Sequence, residues 1–183
     1  MRINSICMKM MCVVMLVLMA TEAKAQLLSA KTNALMWGNL TPNLSLELVT
    51  SGKTSVETTA FYSVGNTPLK TGLTGGQVEW RYWLSGRPTN WMFVGLSLTG
   101  LRYDSSLGSK VRHLGDAGGP GVVYGYVLPI GKHWNIEFAT GLSMIWFRER
   151  KYDKNVDIMQ QPYNESGRRI LPSKLSVSCA YVF

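Results

Sequence analysis

The stretch Trp134-Asn135-Ile136-Glu137-Phe138-Ala139-Thr140-Gly141-Leu142-Ser143-Met144-Ile145-Trp146-Phe147 alternates with a period of two. Trp134, Ile136, Phe138, Leu142, Met144 and Trp146 fall on one side, interrupted only by Thr140. Asn135, Glu137, Ala139, Gly141 and Ser143 fall on the other. Successive side chains of a β-strand point to opposite faces, so the stretch reads as a strand with one apolar face and one small or polar face. It outlasts the roughly 5–6 residues usual for a strand in a globular sheet.

The same period recurs along the chain. Leu175, Val177, Cys179, Tyr181 and Phe183 oppose Ser176, Ser178, Ala180 and Val182; Val78, Trp80, Tyr82 and Leu84 oppose Gln77, Glu79, Arg81 and Trp83. Met92, Val94, Leu96 and Leu98 oppose Phe93, Gly95, Ser97 and Thr99. Weaker alternation over 31–37, 43–50, 54–63 and 121–128 brings the count to eight strands, and no helical period of comparable length interrupts them. The expectation is an all-β, eight-stranded antiparallel up-and-down barrel. Its connections at 51–53, 85–90 and 129–132 are short, whereas those at 64–75, 104–119 and 148–171 are long; 38–42 is short as well. Every second connection of a meander lies at the same end, so one end carries tight turns and the other carries loops, as in outer-membrane barrels.

Of the 183 residues, 46% are hydrophobic and 16% charged. Arg2 and Lys9 precede an apolar run from Met10 to Ala20, and Ala23-Lys24-Ala25 supplies a small-x-small cleavage motif. This is the pattern of a secretory signal peptide over 1–25, with the barrel domain over 26–183 and export through the Sec pathway. The apolar run is too short for a spanning helix, which needs about 20 residues. Cys7 and Cys12 leave with the leader, and Cys179 alone cannot form an internal disulfide. Removing Arg2, Lys9, Lys24 and Glu22 lowers the formal charge of +8 by two. An exported basic barrel without a recognition helix points to anionic lipid headgroups rather than nucleic acid.

Two barrels share this alternation. A soluble lipocalin-like barrel carries charges outside, whereas a membrane barrel carries them in its lumen. The strand segments contain few charges: Lys31, Glu47, Glu57, Glu79, Arg81, Arg102, Glu137 and Lys174. About one per strand cannot solvate an exterior, but such groups can pair inside a narrow lumen, where leaving them unpaired is costly. Aromatic residues gather near strand ends, with Tyr82, Trp83, Trp91, Trp134 and Phe183 at the turn end. Trp37, Tyr62, Tyr103, Trp146 and Phe147 lie at the loop end. Two such belts suit the two interfaces of a bilayer. Tyr181 and Phe183, on the apolar parity of the last strand, are the candidate signal for the barrel-assembly machinery. The expected location is the outer membrane of a Gram-negative cell, with both termini periplasmic.

Several runs resemble a family of small outer-membrane barrels of unknown function from Bacteroidetes, often encoded near fimbrial genes. They are Lys31-Thr32-Asn33-Ala34-Leu35, Thr41-Pro42-Asn43-Leu44-Ser45-Leu46-Glu47, Glu79-Trp80-Arg81-Tyr82-Trp83-Leu84 and Gly131-Lys132-His133-Trp134-Asn135-Ile136-Glu137, with the end from Pro172 to Phe183. The resemblance implies a surface role, with fimbrial or other surface proteins as partners, and implies no enzymatic activity. Members often carry a cysteine pair in the last long loop; this chain has none there.

Candidate chemistry is sparse. Glu47, Glu57, Glu79, Arg81 and Glu137 form the expected lumen network, a hydrogen-bonded plug rather than a pore, because eight strands leave only side-chain room inside. Arg148, Arg150, Lys151, Arg168 and Arg169 form a basic rim expected to touch lipopolysaccharide phosphates, which arginine pairs with well. His113 stands near Asp104, Ser105, Ser106, Ser109 and Asp116, the residue types of a hydrolase or acyl transferase, but without a Gly-x-Ser-x-Gly elbow. His133 follows a tight turn and reads as an interfacial residue. With two histidines and one cysteine after the leader, no metal and no cofactor are expected. The reading is a structural or surface-interacting barrel that is not an enzyme. The alternatives are a lipid-modifying enzyme acting through His113 and a soluble periplasmic ligand-binding barrel.

Overall fold

The structure is a computed structural model and describes residues 27–64, 67–106, 111–153 and 162–183. The leader segment 1–25 lies outside the described residues. The elements are β1 (Leu28–Asn33), α1 (Ala34–Gly38), β2 (Asn43–Ser51), β3 (Thr54–Tyr62), β4 (Thr71–Trp83), β5 (Trp91–Ser105), β6 (Val111–Pro129), β7 (Trp134–Asp153) and β8 (Glu165–Val182). Each strand pairs antiparallel with the next. The ring closes where β1 meets β8, from Ser29 opposite Val182 to Asn33 opposite Ser178. Closure gives the strands backbone partners on both sides and removes the open edge of a flat sheet.

β1 is shorter than the alternation over 31–37 suggests. Asn33 ends it: its carboxamide oxygen accepts from the Leu35 N–H at 3.0 Å and caps the single helical turn α1. The same side chain donates to the Leu175 carbonyl at 3.1 Å and accepts from the Val177 N–H at 3.2 Å on β8. A short carboxamide that offers the backbone local partners competes with strand pairing, and here it replaces the next rung of the ladder.

The long connections are shorter than expected, because the strands continue into them. β5 runs to Ser105, β6 begins at Val111, β7 reaches Asp153 and β8 starts at Glu165. Strand length rises from 6 residues in β1 to 19, 20 and 18 in β6, β7 and β8, so the loop end has a low wall at β1–β3 and a high wall at β6–β8. In the high wall both faces carry polar side chains, as in Arg148-Glu149-Arg150-Lys151, so the hydrophobic period vanishes while the ladder persists.

β8 contains a bulge. Gly141 of β7 pairs with Lys174 but Leu142 pairs with Pro172, which leaves Ser173 as an extra residue. Below it Lys174, Ser176, Ser178, Ala180 and Val182 face inward; above it the inward set is Glu165, Gly167, Arg169 and Leu171. Pro172, which has no N–H to donate, sits beside the bulge, where a proline is tolerated within a sheet.

Side chains divide sharply between the two faces. Leu46, Val78, Trp80, Leu96, Leu98, Val122, Phe138, Leu142 and Leu175 lie exposed outside, while Ser29, Lys31, Ser45, Glu47, Glu57, Gln77, Glu79, Arg81, Thr99 and Glu137 are buried inside. Near the turn end the interior is apolar, filled by Trp83, Phe93, Val123, Val127 and Ala139. Three of the belt aromatics therefore point inward: Trp83 and Phe147 are buried, and Tyr103 turns its hydroxyl to buried Glu149. Each has inward parity on its strand, so nearness to a strand end misplaced them.

Large inward side chains lie over glycines on the neighbouring strand. Phe93 faces Gly125 in register and Arg81 faces Gly95. A Cβ at Gly125 would stand 2.3 Å from the Phe93 ring, so only glycine leaves space for it. Tyr103 over Gly115 and Phe147 over Gly167 repeat the arrangement higher up.

Candidate functional site

Three glutamates lie side by side inside the barrel: Glu47 of β2 opposes Glu57 of β3, which opposes Glu79 of β4. Like charges in register repel. Glu137 of β7 approaches the same group through Arg81 and Lys31. Arg81, fully buried, answers them. Its Nη1 and Nη2 donate to the two Glu137 oxygens at 3.0 Å each, and its Nε and Nη2 donate to Glu79 Oε2 at 3.0 and 2.9 Å. Its Nη2 also lies 2.8 Å from Glu57 Oε1. The guanidinium sits 4.2 Å above the Phe93 ring, which sets it between the ionic layer and the apolar layer beneath.

Two amines complete the cage. Lys31 of β1 contacts Glu47 and Glu137 and lies 2.9 Å from Glu57; Lys174 of β8 contacts Glu79 and lies 3.0 Å from Glu57. Sequence reasoning placed Glu47, Glu57, Glu79, Arg81 and Glu137 together, and the structure brings all five into one cluster. It omitted Lys31 and Lys174. Lys174 precedes Ser176 by two residues and so shares its inward parity, and four buried carboxylates around one guanidinium call for further cations. Ser55 extends the cage downward: it donates to Glu47 and accepts from Trp83 Nε1 at 2.8 Å.

Among the described residues, Glu47, Glu57 and Glu137 are carboxylates close enough to share a metal ion, with candidate ligand atoms within 4.8 Å. The Lys31 ammonium contacts all three. The donor set is thus already neutralised by protein cations and fits an internal ion pair better than a metal. Above the cage, Gln77 donates to Thr99 at 2.9 Å, and Ser45 meets Thr59 at 2.7 Å. The interior is a filled plug of polar layers on an apolar base.

At the loop end, His113 faces inward on β6, with its Nδ1 3.2 Å from Glu149 Oε1, while Tyr103 donates to Glu149 Oε2 at 2.6 Å. Burial first, then this hydrogen bond, holds the Tyr103 hydroxyl above its ordinary range. Asp104 and Asp116, which sequence spacing grouped with His113, point the other way. Asp104 pairs with Arg112, and Asp116 with Arg102 at 2.8 Å, on the outer face. The continued strand pairing sends alternate residues to opposite faces, so the Ser/His/Asp set is not assembled. Ser105 bonds to Thr71 at 3.1 Å, and Ser109 lies outside the described residues. His133 binds the Val182 carbonyl at 2.9 Å and stacks on Tyr181, whose ring lies 5.0 Å from Phe183 at the turn end.

The same alternation divides the basic rim. Arg148, Arg150 and Arg168 have outer parity, whereas Lys151 and Arg169 turn to the inner face, where both pair with Glu165. Arg169 lies 4.9 Å over the Phe147 ring. Outside, Tyr163 reaches past β7 to donate to Asp116 Oδ2 at 2.7 Å, with the Arg150 guanidinium 4.4 Å over its ring. The hydrogen bond from Arg102 first, and that from Tyr163 second, hold the Asp116 carboxyl below the usual range; the Tyr163 hydroxyl is raised in turn.

Fold and interior together define an eight-stranded closed antiparallel barrel with an ion-paired core and an apolar outer wall. The family described as Protein of unknown function (DUF3575) matches residues 10–183, and the chain belongs to it. Comparison with curated proteins and with solved structures gave no match.

Proposed function

We propose that this protein is an outer-membrane β-barrel whose work is structural and surface-directed, carried out by its tall outer wall rather than by a pore or a catalytic centre. The observation that carries this is the inversion of polarity: leucine, valine and aromatic side chains outside, seven charged groups caged inside. Water would leave such an exterior unsatisfied, whereas lipid suits it. On β7, Trp134 and Trp146 stand at the two ends of the apolar stretch. The twelve steps between them, at about 3.3 Å each and tilted about 40°, span roughly 30 Å along the axis, the thickness of a hydrocarbon core.

A soluble ligand-binding barrel needs an open apolar interior, and this interior is occupied. A lipid-modifying enzyme acting through His113 needs a serine and an aspartate at its ring; Ser105, opposite it in register, bonds to Thr71, and Asp104 and Asp116 face away. The surface partner stands with this reading as a proposal, fimbrial proteins being the class the family resemblance implies. Migration of boiled and unboiled mature protein in SDS gels, taken from an outer-membrane fraction, tests the reading. A mobility shift on boiling is the expected result. Recovery from the soluble periplasmic fraction without a shift would overturn it.

A further inference from the structure

Two depressions on the outer wall meet at Gly118. The upper one, 730 Å³, is bounded by Asp116, Trp146, Arg148, Tyr163, Ser166 and Arg168. The lower one, 460 Å³, runs beneath Val78 and Leu98. Its floor is a row of glycines in register across three strands: Gly76 opposes Gly100, which opposes Gly118, and the row ends against Trp146. A Cβ at Gly100 would meet nothing within 4 Å, so the packing of the barrel does not require glycine there. The space it leaves opens outward.

Charge is distributed unevenly around the upper depression. The outer face of the high wall carries Arg102, Arg112, Arg148, Arg150 and Arg168 against Asp104 and Asp116. Both aspartates are engaged, Asp104 by Arg112, and Asp116 by Arg102 and Tyr163. Arg148 and Arg168 have no carboxylate partner among the described residues. Arg168 opposes Trp146, and Arg148 is two residues above Trp146 on the same face, so the two are diagonal neighbours. Arg150, next on that face, has a buried Nε without a hydrogen-bond partner. Adjacent unpaired guanidiniums repel each other and suit a phosphate, which accepts several N–H bonds at once.

We infer that this wall binds one phosphorylated lipid of the surrounding leaflet, with its phosphate between Arg148 and Arg168 and an acyl chain lying along the trough over Gly118, Gly100 and Gly76. The inference rests on the membrane placement proposed above and gives it a specific ligand class. Trp146 marks the junction, with its ring at the boundary between headgroup and chain. Each volume falls in the roughly 300–1,000 Å³ range of small-molecule sites, and together they slightly exceed it.

The test uses the full mature chain, extracted from outer membranes in a non-ionic detergent and exchanged into micelles doped with lipid A, dephosphorylated lipid A or phosphatidylcholine. Retained lipid is read by native mass spectrometry, with inorganic phosphate as competitor. The expected result is retention of lipid A alone, undisturbed by inorganic phosphate. Retention falls about tenfold or more when Arg148→Gln and Arg168→Gln are combined, since a charged hydrogen bond is worth ~1.5–3 kcal/mol. Gly100→Leu also lowers retention while its heat-induced gel transition stays at the parental temperature. Equal retention of the dephosphorylated lipid, displacement by inorganic phosphate, or undiminished retention in either variant overturns the inference. Those results leave the barrel itself intact, as its gel shift reports separately; a protein found soluble removes the membrane placement instead.

Discussion

Lys174 of β8 reaches Glu79 of β4 across the full width of the barrel, from an inward position just below the bulge at Ser173. Strands four apart in an eight-membered ring are diametrically opposed, so this contact clamps the two halves of the wall together. With Arg81 and Lys31 it ties six of the eight strands into one ionic cluster; β5 and β6, outside it, supply Phe93, Val123 and Val127 of the apolar layer beneath.

Arg81→Ala leaves four buried carboxylates facing two amines. A buried pair broken from one side costs about 3–5 kcal/mol, and the variant is expected to lose its compact unboiled band at a markedly lower temperature. Arg81→Lys restores the charge but not the fork that holds Glu79 and Glu137 together, so it recovers only part of the loss. Urea titration in detergent micelles ranks the three proteins; equal midpoints for the parent and the Arg81→Ala variant contradict the cage.

Deleting Ser173 returns β8 to a single register. Pro172 then adjoins Lys174 and keeps its place opposite Leu142, so residues 165–172 are expected to retain their faces, with Ile170 and Arg168 still outside. A fluorophore on Ile170→Cys, with Cys179 replaced by serine, is quenched by brominated acyl chains in the parent and keeps that quenching in the deletion chain; its loss there would contradict the assigned bulge. The gel shift on boiling persists in both.

Gly125→Ala places a methyl group against the Phe93 ring and is expected to cost about 1–3 kcal/mol through overpacking. Phe93→Leu alone loses packing, yet combined with Gly125→Ala it makes room for the methyl. The two changes are therefore expected to be less damaging together than their sum, a coupling that a double-mutant cycle of thermal midpoints measures.

The Tyr163–Asp116 contact should depend on pH at both ends. Asp116 is lowered, so its contribution is present above the ordinary aspartate value near 4 and fades as pH falls through the lowered one. Tyr163 is raised, so its contribution is present below the ordinary tyrosine value near 10 and fades as pH rises through the raised one. Both groups are largely exposed, so the effect is confined to the loop end and leaves the barrel closed. Limited proteolysis of the segment before β8 should be slow across the middle range and faster at both extremes, and Tyr163→Phe should remove the dependence at the alkaline side.

Strand count, antiparallel order and the assignment of inner and outer faces near the turn end were legible in the chain, because alternate burial imposes a period of two on every strand between Gln77 and Leu84 or Trp134 and Trp146. The high wall was not. Around Arg102, Arg112 and Arg148 both faces are polar, the period disappears, and a paired strand reads as a loop. His113 was thereby grouped with Asp104 and Asp116, which lie on the opposite face, and its partner Glu149, 36 residues away in the chain, was overlooked.

By itself the sequence determined that this chain closes an all-β ring with few charges, since local alternation follows from each residue's own transfer free energy and needs no neighbours. Tertiary structure alone decided which charges meet. Lys31, Glu47, Glu57, Glu79, Arg81, Glu137 and Lys174 are spread over most of the chain, and only strand register brings them within hydrogen-bonding distance. The diagonal of Arg148 and Arg168 above Trp146 has the same origin: it is a property of two strands in register, and neither strand carries it alone.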